Sequence, residues 1–106
     1  MAVIQATDTD FNEVLNSNQK VVVKYYADWC GSCRLFAPKF KRMSDDDAFT
    51  NVAFVDVNAE NNPEARKLAN VTNLPFFAVF EGGKLLDSVA ASKEEAVRNL
   101  IHKLDA

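Results

Sequence analysis

Short β-branched and aromatic runs alternate along the chain with stretches in which apolar residues recur every three or four positions. Val3 to Ala6 makes a first short strand. Thr7, Asp8 and Thr9 follow, all suited to capping a helix, and Phe11, Val14 and Leu15 then fall at helical spacing. Val21 to Ala27 is mostly β-branched and aromatic, the pattern of a strand buried on both faces. Leu35, Phe36, Phe40 and Met43 mark a helix running on from Cys33, and Pro38 inside it predicts a kink. Val52 to Val57 reads as another strand. Asn62-Pro63-Glu64 opens a helix with proline at its first position, running to about Asn70. Phe76 to Phe80 and Lys84 to Val89 read as two strands joined by a hairpin turn at Gly82-Gly83. Ser92-Lys93-Glu94-Glu95 has the form of a capping box, and Val97, Leu100, Ile101 and Leu104 give the last helix an apolar stripe.

The order is therefore β-α-β-α-β-α-β-β-α. Strand-helix-strand units require a parallel sheet with helices on both faces, and the closing hairpin adds antiparallel strands at one edge. The expected class is α/β, with a mixed, mostly parallel central sheet of about five strands flanked by about four helices. A length of 106 residues fits one domain, 1–106, able to bury a core without staples. No repeat, linker or low-complexity segment interrupts it.

Charge narrows the partners. A net charge of −3 with no long basic stretch argues against nucleic acid or an anionic membrane. The apolar runs are far too short to span a bilayer. The first eight residues, Met1 to Asp8, have neither a basic region nor a long apolar one, so they do not read as a signal peptide, and a cytoplasmic setting is expected.

The two cysteines lie in one tetrapeptide, Cys30-Gly31-Ser32-Cys33. A disulfide scaffold would spread them along the chain, so this spacing points to redox chemistry or to half of a metal site. Cys30 stands where a buried strand ends and a helix begins. Unpaired amides and the partial positive charge of a helix N-terminus favour a thiolate there, lowering a cysteine pKa from about 8.5 to roughly 3.5–7.5. Residues three apart on a helical turn face the same way, close enough for Cys33 to attack a mixed disulfide held on Cys30. Gly31 is expected to let the chain turn tightly and leave Cys30 accessible, and Trp29 to lie against the site. Competing readings are a structural disulfide, a metal site bridging two chains, and two inert thiols.

Tyr26-Ala27-Asp28-Trp29-Cys30-Gly31-Ser32-Cys33-Arg34 resembles the active-site signature of the thioredoxin family. Ala37-Pro38 is similar to its kinked helix, Leu74-Pro75 to its cis-proline segment, and Phe80 with Gly82-Gly83-Lys84 to the strand and turn that follow. The resemblance covers essentially the whole chain. It implies a thioredoxin fold and a protein-disulfide reductase in which Cys30 attacks and Cys33 resolves. It implies a cis Leu74–Pro75 bond beside a groove where backbone near Leu74 pairs with an extended substrate peptide. It also implies disulfide-containing protein substrates and a separate flavin- and NADPH-dependent thioredoxin reductase as electron donor, with the protein itself a monomer. No Gly-rich phosphate loop is present, so no nicotinamide, flavin or other cofactor of its own is expected, and no metal.

Several positions depart from the family pattern. Ser32 stands where proline is typical, restoring an N–H and adding a hydroxyl that can both donate toward a Cys30 thiolate. Lys24 stands where many relatives bury an aspartate, and Phe54 replaces a lysine that often partners it. Asp56, two residues on, is expected to pair with Lys24 in a reversed arrangement, the alternative being that Lys24 snorkels its ammonium to water. A Lys24 lying near Cys33 would favour its thiolate or, when neutral, act as a base. Phe76, in place of threonine, is expected to enlarge with Phe77 an apolar lip, one of the two pointing to the core. Ala90 replaces a glycine close to the groove. Asp28 reads as a solvated loop carboxylate, Asp45-Asp46-Asp47 as a polar turn, and His102 as a surface residue. A binding module without redox turnover, a metal-bridged dimer, and an oxidase or isomerase of altered potential stay open beside the reductase.

Overall fold

The computed structural model describes residues 3–105; Met1 and Ala2, at the head of the segment inspected for targeting signals, lie outside it. Five strands and four α-helices follow in the expected order: β1 (Ile4–Ala6), α1 (Phe11–Ser17), β2 (Lys20–Tyr26), α2 (Gly31–Ser44), β3 (Ala53–Asn58), α3 (Pro63–Leu68), β4 (Phe76–Glu81), β5 (Lys84–Ala90) and α4 (Glu94–His102). A short 3₁₀ turn, Asp47–Phe49, links α2 to β3. The sheet order is β1-β3-β2-β4-β5, with β1, β3 and β2 parallel and β4 and β5 antiparallel to their neighbours.

The period-two alternation of the strands sends side chains into two separate cores. Val21, Val23 and Tyr25 of β2 face the layer that holds Phe11 and Leu15 of α1 and Ala65 of α3. Val22 faces the opposite layer, with Phe36, Phe40 and Met43 of α2 and Val97, Leu100 and Ile101 of α4. This double cover is why β2 and β4 read as continuous apolar runs. It also corrects the expectation for Phe76 and Phe77. Both rings are buried, Phe76 against Tyr25 (ring centroids 6.3 Å apart) and Phe77 against Phe36 (4.9 Å), on opposite faces. Phe76 therefore contributes no ring to an exposed lip.

Helix ends depart from the sequence reading in three places. The N-cap of α1 is Asp10, not Thr7 to Thr9, and its carboxylate turns back to accept from the Thr7 N–H at 2.7 Å. Asp8 instead caps α3 across the fold, accepting from the amides of Ala65 (2.8 Å) and Glu64 (3.1 Å). Asp8→Ala is expected to cost about 1 kcal/mol, the usual worth of a carboxylate cap, readable as a lower midpoint in urea with unchanged slope. The capping box does not form: α4 starts from Lys93 with no side-chain cap, and Glu94 reaches Arg98 (2.9 Å), which also pairs with Asp46. Helix α3 stops at Leu68, short of Asn70, whose φ of 53° is left-handed. Helix α2 continues through Pro38 as one 14-residue element, with Leu35 facing solvent.

The hairpin turn is as read. Gly82 and Gly83 have φ of 60° and 81°, the pair of positive values that a two-residue β-turn of this hand requires. A register shift at Val79/Phe80 leaves Leu86 without a partner in β4, so Leu85 and Leu86 are both exposed on the edge strand. No helix among the described residues is long and apolar enough to cross a membrane.

Candidate active site

Strand β2 runs between β3 and β4, and the chain leaves its carboxyl end to enter α2. Ligand and catalytic sites of open α/β sheets sit at such ends, because loops and helix N-termini converge there. Cys30 is the N-cap of α2, and its Sγ accepts from the Cys33 N–H at 3.2 Å. Cys30 and Cys33 are joined as a disulfide, their Cα atoms 5.2 Å apart. The sulfur thus already occupies the anion position of a helix N-terminus, where the same amide stabilises a thiolate once the bond is reduced.

Gly31 is not needed for a tight turn. Its φ lies outside the positive region, and a Cβ built on it meets nothing within 4 Å. A side chain at this position would point into open space. Trp29 stands beside the site with 67% of its surface exposed, and its Nε1 donates to Glu60 Oε1 at 3.2 Å. Glu60 in turn lies 3.7 Å from Arg66 Nη1. Glu60 escaped the sequence reading because it lies 31 residues from Trp29, with no local pattern joining them.

On the other flank, the Leu74–Pro75 peptide bond is cis. Ser32, Leu74, Pro75 and Ala90 share one groove of about 200 Å³ with Asn73 and Ser92. Four of the residues singled out from the sequence are therefore brought together by three separate segments. Phe76 and Trp29 do not line that groove: the Phe76 ring turns inward as described above, and Trp29 pairs with Glu60.

Beneath the disulfide, Lys24 is 3% exposed, so it does not snorkel. The parallel register places Asp56 directly beside it, whereas Phe54 lies beside Val22; Asp56 is thus its cross-strand neighbour. Lys24 Nζ stands 3.4 Å from Asp56 Oδ1, and 5.2 Å from the centre of the Phe40 ring. That Oδ1 is buried and makes no hydrogen bond of good geometry among the described residues. Burial pushes the Asp56 carboxyl above the ordinary carboxylate range, and the Lys24 charge offsets this only in part. Desolvation likewise raises the Tyr26 phenol, whose oxygen accepts from Gln5 Nε2 at 2.8 Å. Lys24, Asp56 and Cys33 line one pocket of about 280 Å³, together with Tyr26, Asp28 and Arg34. Asp28 is exposed at its rim, and its backbone oxygen accepts from Arg34 at 3.0 Å.

Among the described residues, no group of three or more histidine, cysteine or acidic side chains is placed to hold a metal ion. Asp46 caps the 3₁₀ turn through the Ala48 amide, and His102 packs near the Phe49 ring.

Comparison with known proteins agrees with this architecture. The family model described as Thioredoxin matches residues 2–103. Thioredoxin H2 of Arabidopsis thaliana is 34% identical over 96 residues, spanning 91% of this chain and 71% of the relative. Thioredoxin 1 of Plasmodium falciparum is 28% identical over the full length of both chains. A solved structure of Plasmodium falciparum thioredoxin superposes with a TM-score of 0.87 at 28% identity, covering 95% of this chain and 98% of that one. With its five-stranded mixed sheet, its four helices and a Cys30–Cys33 pair that fits the CXXC active site, this chain belongs to the thioredoxin family and is a thiol–disulfide oxidoreductase.

Proposed function

We propose that the protein is a general protein-disulfide reductase. Cys30, as thiolate, attacks a substrate disulfide and forms a mixed disulfide; Cys33 then attacks Cys30 Sγ and releases the reduced substrate. The observation that carries this reading is the Cys33 amide aimed at Cys30 Sγ at the head of α2, which favours negative charge on that sulfur and keeps the second cysteine within reach. An extended substrate segment lies in the groove between Ser32, Leu74 and Ala90, pairing with backbone at Leu74, with Trp29 as apolar cover. Re-reduction falls to a separate thioredoxin reductase, and the setting is the reducing cytoplasm, with the protein working as a monomer.

The test is the reduction potential of the Cys30–Cys33 couple, measured by equilibration against defined thiol buffers. A value near the roughly −270 mV of reducing thioredoxins supports the reductase; one near about −180 to −120 mV assigns an isomerase or oxidase instead. Ser32 favours that second reading, because its amide and hydroxyl are donors that proline would remove. Ser32→Pro is expected to lower the potential by about 30 mV, the equivalent of one charge-assisted hydrogen bond to the thiolate. An unchanged or higher potential would make Ser32 an ordinary loop residue.

A further inference from the structure

Three polar side chains from separate segments close on the groove beside the disulfide. We propose that this groove is a neutral polar subsite, in which Ser32, Asn73 and Ser92 select substrates carrying an amide or hydroxyl side chain next to the cysteine being reduced. This rests on the reading of the protein as a protein-disulfide reductase whose substrate segment lies in that groove.

Ser32 lies in the first turn of α2, Asn73 in the loop before the cis Leu74–Pro75 bond, and Ser92 between β5 and α4. All three are exposed, and among the described residues none of their side chains takes part in a hydrogen bond. Asparagines elsewhere are used locally: the side chains of Asn18 and Asn62 donate to the carbonyls of Val14 and Asn58, each at 2.9 Å. The Ser92 hydroxyl is not taken by a helix cap either, since α4 starts from Lys93 without one. Once Cys30 is joined to a substrate its sulfur carries no negative charge, which leaves the Ser32 hydroxyl for the bound chain.

Polarity, rather than size, sets the choice. The groove of about 200 Å³ exceeds the roughly 150 Å³ that admits benzene where the walls are apolar. A docked chain covers the three side chains. An apolar one strips their water without replacing its hydrogen bonds, whereas an amide or hydroxyl restores them. The other lining residues are Leu74, Pro75, Ala90 and Ala91, so none of the lining residues is charged. A carboxylate or ammonium would lose water there without meeting an opposite charge, and the choice falls on neutral groups.

The test uses the reduced protein and the symmetrical disulfides of peptides Gly-Xaa-Cys-Xaa-Gly, with Xaa as Asn, Ser, Leu, Asp or Lys. Xaa on both sides of the cysteine meets the groove whichever way the peptide runs. In each turnover the two protein thiols become the Cys30–Cys33 disulfide, and the peptide disulfide becomes two peptide thiols, which chromatography counts. Each rate is divided by that of the same peptide disulfide with dithiothreitol, which removes differences in the peptides' own reactivity. The Asn and Ser peptides are expected to react about 10-fold faster than the Leu peptide, the worth of one or two net hydrogen bonds, in a ratio that salt does not change. Asn73→Ala/Ser92→Ala should bring that ratio to about 2 or below. Asn73→Asp should turn the preference to the Lys peptide and make it weaken with salt, a change that a merely structural role for Asn73 would not produce. A Leu peptide reduced as fast as the Asn peptide, or a preference unchanged in the alanine variant, would overturn the proposal. A preference for Asp or Lys over Asn at physiological ionic strength in the unaltered protein would do the same. Equal, fast reduction of all five peptides removes only the polar subsite, whereas failure to reduce any of them overturns the reductase reading as well.

Discussion

Replacing Cys33 with serine is expected to stop the cycle halfway, with a substrate chain held covalently on Cys30, whereas Cys30→Ser forms no adduct and shows only the rate of uncatalysed exchange. The asymmetry follows from the helix. Only Cys30 lies at the N-cap, where the Cys33 amide and the helix terminus favour its thiolate. The Cys33 thiol sits one turn in, away from the N-cap position that favours the thiolate. The serine variant keeps its backbone amide, so attack by Cys30 survives. What it loses is an intramolecular nucleophile. Even an effective concentration of about 1 M, far below the ceiling for well-oriented groups, outruns about 1 mM external thiol some 1,000-fold. The adduct should therefore live about 1,000 times longer, as mass spectrometry under non-reducing conditions would show. A Cys33→Ser protein that turns over normally, or an adduct found on residue 33 in Cys30→Ser, would reverse the roles assigned to the two sulfurs.

Phe77→Ala should produce the largest loss of stability from any single truncation. Phe77 is fully buried near the start of β4, its ring 4.9 Å from that of Phe36 and 5.8 Å from that of Phe40. It ties the sheet to α2, the helix that carries Cys33. Truncating a buried phenylalanine costs about 3–5 kcal/mol, part of it lost transfer energy and part the cavity left behind. For a chain of this size that corresponds to a fall in melting temperature of roughly 15 °C or more. Because the cavity opens under α2, the exchange rate should fall as well, at temperatures where the protein is still folded. A change in melting temperature of only a few degrees would mean that Phe36 and Phe40 collapse into the space.

The strand-helix alternation, the Gly82-Gly83 turn and the Cys30/Cys33 pair were legible because each is a local pattern. Alternation and helical spacing are properties of neighbouring residues, and positive φ at two adjacent positions selects glycine. Several misreadings involve groups with more than one possible partner. Asp8 had the composition of a local cap, yet its carboxylate satisfies the amides of a helix more than fifty residues away. Ser92 to Glu95 had the form of a capping box, yet α4 starts from Lys93 with no side-chain cap, and Glu94 pairs with Arg98, which is itself drawn to Asp46 on another segment. Phe76 was assigned to a lip because it replaces a threonine of the family pattern, yet the sheet is covered on both faces and its ring packs against Tyr25.

Lys24 separates the two kinds of information most clearly. The chain alone states that a basic residue occupies a strand that must be buried, and therefore that a carboxylate is needed near it. Which carboxylate, and facing what, depends on the β2–β3 register, since sliding one residue would turn Asp56 to the other core. Local patterns were enough for the elements, their order and the pair of sulfurs at the head of α2, all through short-range preferences of the backbone. Which distant groups meet is a property of the folded chain: Trp29 with Glu60, Ser32 with Ala90 in one groove, and Lys24 with Asp56 in a pocket shared with Cys33. Those meetings are set by packing two cores onto one sheet, a sum over the whole chain that no local pattern encodes.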